Sequence, residues 1–246
     1  MTPQRPALPT LPARDLHASA LVRLLAQQAL LHPPAQRAPL GDQLAQWLDF
    51  RQAIALHALL EPTGRAAAPA ARRPRRPDMA ELREDLNDIR RRLQDAILHG
   101  HPPGPGLPRL DWPTEAPDPE LPPRAAFDPW MRHLQAHQKQ MSQHLRPLRE
   151  RLRRALADSG SAGARLVALD AAFEQVLDER EQRLLARLPV LLQKIMLRLW
   201  QQSLAPAQVL SALHDPLRQL LLAELDWRLQ THQGLLAACQ EQHDRS

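Results

Sequence analysis

His133 and His137 stand four residues apart, one turn of a helix, and His144 follows two turns later. A histidine pair at that spacing can hold zinc when a third ligand converges on it. The HExxH arrangement of zinc hydrolases is absent, because Leu134 follows His133. The reading is therefore three solvated histidines flanking a helical seam, with no metal site. Asp170, Glu174, Asp178 and Glu181 recur at helical spacing, with Arg180 and Arg183 among them. Ion pairs within one helix account for such a row. Acid–base catalysis would also need a pocket that shifts a pKa, and nothing in the sequence signals one. Ser159, Ser161 and Ser203 lack the strand–turn–helix setting of a nucleophile. Cys239 is the single cysteine, which excludes an intrachain disulfide and a thiolate metal cluster. There is no glycine-rich phosphate loop. The expectation is a protein with no catalytic residue and no cofactor.

One charge cluster stands apart. Arg65, Arg72, Arg73, Arg75 and Arg76 lie within 62–77 without an acid. Such a run can neutralise phosphates on nucleic acid or on anionic lipid. No aromatic residue interleaves it, so base stacking is not expected and any nucleic-acid binding is weak and salt-sensitive. Without those five arginines, basic and acidic residues are equal in number, although the sequence pI is about 10.7. Arginine outnumbers lysine heavily and tyrosine is absent, so few groups titrate before the arginine range and the pI overstates the charge.

The elements that would position these groups are helical. The apolar residues are mostly Leu and Ala, and no alternating strand pattern occurs. Leu134, Gln138, Met141, Leu145, Leu148, Leu152 and Ala155 alternate four- and three-residue steps, the seam of a coiled coil. Leu82, Leu86, Ile89 and Leu93 form a second seam behind an Asp78/Glu81 capping box. The chain divides into an extended tail at 1–14, a small helical unit at 15–61, the basic linker at 62–77 and an amphipathic helix at 78–99. A proline-rich spacer follows at 100–127, then a helical hairpin or bundle at 128–240. The expected fold is all-α: a long antiparallel hairpin in the C-terminal half, a small N-terminal helical unit and proline-rich linkers. Asp128–Pro129 marks a helix start, and Pro147 and Pro216 mark kinks or restarts. The five residues from Ser159 to Gly163 form the hairpin turn.

No apolar run approaches the ~20 residues of a membrane span, and the first residues carry no signal-peptide pattern, which points to the cytoplasm. Residues 188–200 are amphipathic with Lys194 and Arg198, and core packing is favoured over contact with a membrane surface.

Several stretches share the order of a known family. Ser19-Ala20-Leu21-Val22-Arg23-Leu24-Leu25, Gln46-Trp47-Leu48-Asp49, Ala136-His137-Gln138, Pro147-Leu148-Arg149, Leu169-Asp170-Ala171 and Leu222-Ala223-Glu224-Leu225-Asp226 carry it. The chain resembles an uncharacterised, largely proteobacterial family of unknown function. The resemblance implies a soluble helical protein and supplies no activity or site residue.

The function favoured by the residues is a non-enzymatic adaptor or structural subunit. It would work through its apolar seams with unknown protein partners, including copies of itself. Two alternatives stand beside it: weak non-specific nucleic-acid binding through the arginine linker, and a peripheral accessory of a membrane or envelope complex.

Overall fold

A computed structural model describes residues 20–21, 78–100, 107–118, 120–202 and 206–244. Among them the chain is all-α. The helices are α1 (Met79–His99), the short α2 (Pro123–Ala126), α3 (Asp128–Asp158), α4 (Ser161–Leu185), α5 (Arg187–Trp200) and α6 (Pro206–Asp244). The tail, the arginine linker and, apart from residues 20–21, the small N-terminal unit lie outside the described residues. Leu21 is buried in the same core as the C-terminal helices.

Two faces of leucine build the centre. On α3, Leu134, Met141, Leu145, Leu148, Leu152 and Leu156 are buried; on α6 the counterparts are Leu213, Leu217, Leu220, Leu221, Leu225 and Leu229. Their three- and four-residue steps keep one ridge of each helix on the other. α1 lays Leu82, Leu86, Leu93, Ala96 and Ile97 onto α6 and α3. Its cap is complete: the Asp78 carboxylate accepts from the Ala80 N–H at 2.8 Å. At the other end Gly100, at φ 76°, donates its N–H to the Ala96 carbonyl.

Neither interior proline breaks a helix. α3 runs through Pro147 and α6 through Pro216. Pro147 sits on the exposed side, where the Gln143 carbonyl that loses its donor can face water. The turn between α3 and α4 is also tighter than the spacing suggests, since α4 starts at Ser161. A methyl group on Gly163 would lie 1.9 Å from the Leu156 carbonyl oxygen, so a residue without a side chain lets the two helices meet there.

The proline-rich spacer departs most from expectation. Residues 107–118 are not a free tether. Leu107 and Trp112 pack on the core, and the Gln140 side-chain amide donates to the Pro108 carbonyl at 3.0 Å. Proline removes donors but leaves carbonyls, and an extended strap offers those carbonyls to side chains on the helices beneath it.

Candidate functional site

The histidine pair is buried, not solvated. His133 and His137 place their Nε2 atoms 3.2 Å apart. The strap encloses them. The Trp112 ring lies 4.5 Å from His133 and 4.9 Å from His214, and the Arg218 guanidinium sits 5.0 Å from the Trp112 ring centre. Trp130 flanks His214 at 5.2 Å, and a His214 ring nitrogen is 3.3 Å from the Pro113 carbonyl oxygen. Burial, with the neighbouring His214, lowers the His133 pKa to about 4, and burial with His133 lowers His137 to about 3. Two neutral imidazoles are competent metal ligands. Among the described residues, however, no group of three or more His, Cys, Asp or Glu side chains is placed to hold a metal ion. His144 is half-buried on the same helix, its pKa lowered by burial and by Arg92. The cluster as built pins the strap to α3 and α6.

The carboxylate row is also used differently from the sequence reading. Asp170 and Glu174 pair across the hairpin, not along α4. Arg149 Nη2 reaches Asp170 at 3.0 Å and its Nη1 reaches Glu174 at 2.8 Å. Arg153 Nε bonds the other Asp170 oxygen at 2.6 Å and its Nη2 bonds Glu174 at 2.7 Å. Each guanidinium is thus forked over both acids, geometry that suits arginine. The side chain of Asp178 lies outside the described ones.

A second buried polar group was not legible as such. Glu224 is fully buried, held by Arg228 at 2.7 Å and by the Gln138 amide at 3.0 Å. Gln138 is the polar member of the α3 seam. Its off-pattern identity was the available signal, because a polar residue in an apolar ridge needs a partner when buried. His232 bridges the same two helices, with Nε2 2.8 Å from the Leu145 carbonyl and Nδ1 3.0 Å from the Arg228 carbonyl. Cys239 is buried with its Sγ 3.6 Å from the Leu152 carbonyl, and burial pushes its thiol pKa up to about 11, so it is held as a neutral thiol.

The seam residues come together inside one chain. Leu82, Leu86, Leu93, Leu134, Met141, Leu145, Leu148 and Leu152 are buried and Ile89 is half-buried. α1 is therefore docked on its own chain. The arginines Arg65, Arg72, Arg73, Arg75 and Arg76 lie outside the described residues.

Among the described residues Leu98, Leu121, Val190 and Leu197 are the exposed large apolar side chains, and the last two share α5. Val190 and Leu197 are 44% and 38% exposed, and Lys194 lies between them on the same side. The opposite ridge, Leu188, Leu191, Leu192 and Met196, is buried. From 182 to 214 the sequence holds no Asp or Glu, but Arg183, Arg187, Lys194 and Arg198. The sequence reading singled out Lys194 and Arg198 on an amphipathic segment; the absence of acids around them shows only when acids are counted by segment. No helix among the described residues is long and apolar enough to cross a membrane.

Residues 9–241 match the model of a family described as "Protein of unknown function (DUF3348)". No curated protein and no solved structure matches the chain.

Proposed function

The chain belongs to the DUF3348 family of proteins of unknown function, and we propose that it is a cytoplasmic, non-enzymatic helical interaction protein, an adaptor or structural subunit. The supporting observation is the outward face of α5, where Val190 and Leu197 stay exposed although the same helix buries four large apolar residues beneath. A chain that fills its interior with leucine and still presents paired aliphatics at a seven-residue interval is suited to receiving another helix. The seams on α1 and α3 are consumed within the chain, so contact with other chains falls to faces such as this one. The reading includes self-association as well as a second protein.

A photo-crosslinking amino acid at position 197, in the native host, tests the proposal. The expected result is a discrete higher-mass adduct from position 197 and none from position 143, an exposed site on α3. No adduct from position 197, together with a monomer by light scattering, would refute it.

A further inference from the structure

We infer that the outward face of α5 receives an acidic amphipathic helix of another protein. This rests on the interaction reading and names the partner's chemistry. Arg187, Lys194 and Gln201 recur every seven residues, with Val190 and Leu197 between them at the alternate heptad position. Of these, Lys194 is half-buried and the other four are exposed. A helix lying along this ridge therefore meets a polar or cationic layer and an aliphatic layer in turn. Polar residues at one set of heptad positions restrict which partners fit, since an apolar ridge would bury Lys194 without a counter-charge.

The charge selects among possible occupants. With no acid in the sequence from 182 to 214, this face of α5 favours a partner carrying Glu or Asp opposite Lys194 and Arg198. Lys194 and Arg198 make no ion pair among the described residues. A second copy of α5 would set cations against cations. A lipid surface takes up a broad apolar face, and the broad apolar face of α5, Leu188, Leu191, Leu192 and Met196, is turned inward. What remains outward is a narrow ridge of two aliphatics, the width a single helix covers.

The test is fluorescence anisotropy on the full chain with three probes. They are a labelled three-heptad peptide with Glu and Leu at alternating seam positions, the same peptide with Lys for Glu, and phosphatidylglycerol vesicles. The acidic peptide is expected to bind and the basic one not. Lys194→Glu should weaken acidic-peptide binding about tenfold, and the double variant Lys194→Glu/Arg198→Glu should gain binding to the basic peptide. Leu197→Ser should weaken both pairings. These positions are on the outer side of the helix, and circular dichroism checks that each variant stays folded. Equal binding of both peptides, or binding that ignores the charge reversals, would overturn the inference. So would vesicle binding without peptide binding, which would make the face a lipid contact. An adduct at position 197 with no preference for the acidic peptide would leave the interaction reading standing and remove the acidic partner.

Discussion

Between α3 and α6 the contact is made by leucines sealed from water, whereas none of the described side chains of α4 is fully buried. α4 does carry apolar residues, but Leu166, Leu169 and Phe173 are only half-covered. Its hold on α3 is supplemented by two forked arginines, Arg149 and Arg153, on Asp170 and Glu174. One region is closed by area and the other by directed bonds. Apolar burial is non-directional and stabilises in proportion to area, at about 25 cal/mol per Å². Forked ion pairs add less net stability but fix register, because both donors and both acceptors must coincide. α4 is accordingly aligned on the bundle without being sunk into it, whereas α5 sinks one ridge, Leu188, Leu191, Leu192 and Met196, into the core. That leaves the outer ridge of α5 free to meet another chain.

The largest expected effect falls in the leucine region. Leu152→Asp places a charge at a position with no exposure, among the leucines of the core. The loss should exceed about 4 kcal/mol and unfold or dissociate the helical bundle. Unchanged melting would mean that the α3 ridge faces water. A comparable charge on the α4 face, Phe173→Asp, should cost far less, because that site is already half-open. Equal losses at the two positions would mean that α4 is held by apolar burial as α3 is.

A second effect belongs to the histidines under the strap. Above pH 6.5 His133 and His137 are neutral whether the chain is folded or not, and contribute no pH dependence. As pH falls below 6.5 the unfolded chain takes up protons that the folded chain refuses until about pH 4 for His133 and about pH 3 for His137. Stability should therefore fall with falling pH across that window, by about 1.4 kcal/mol per pH unit for each histidine at most. Denaturant unfolding at pH 7.5, 6 and 5 measures the slope, and His137→Gln should flatten it. A slope unaltered by the substitution would place the protonation sites elsewhere. Amide exchange over the same pH series should show loosening of the strap, which packs on His133 through Trp112.

The third prediction addresses the arm alone. Asp170→Asn keeps the shape of the side chain and removes the charge shared by Arg149 and Arg153. Both arginines are mostly covered, at 18% and 19% side-chain exposure, so the pairing is less screened than on an open surface. The cost should be about 2 kcal/mol, and it should appear first as faster amide exchange in α4. Undiminished protection would assign the hold of α4 to its half-buried leucines instead.

How much of this was legible follows from what each force requires. The ridges of α1 and α3 could be read because burial acts on a repeating position, and Leu82, Leu86, Leu134 and Leu152 repeat visibly. Asp78 could be read as a cap because capping is settled within three residues. The pairing of Asp170 with Arg149 and Arg153 could not, since spacing along one helix is silent about which helix lies across from it. The strap failed for a related reason. A run of prolines reads as unpacked because proline removes donors, but the bonds that pin it use the Pro108 and Pro113 carbonyls and come from Gln140 and His214. Likewise, nothing local distinguishes a solvated His133 from one covered by Trp112, which sits more than twenty residues earlier.

The smallest expected effect sharpens the comparison most. Leu197→Ser should change stability by no more than about 0.5 kcal/mol, because the leucine is 38% exposed and outside the packed cluster. Leu192→Ser, five residues earlier on the buried ridge, should cost about 3 kcal/mol or more. The two substitutions are chemically identical and differ only in which side of α5 they occupy. A thermal melt that is indifferent to position 197 and sensitive to position 192 would show that the outer leucine does not hold the fold together. An equal loss at both would return Leu197 to the core and leave α5 without an outward face.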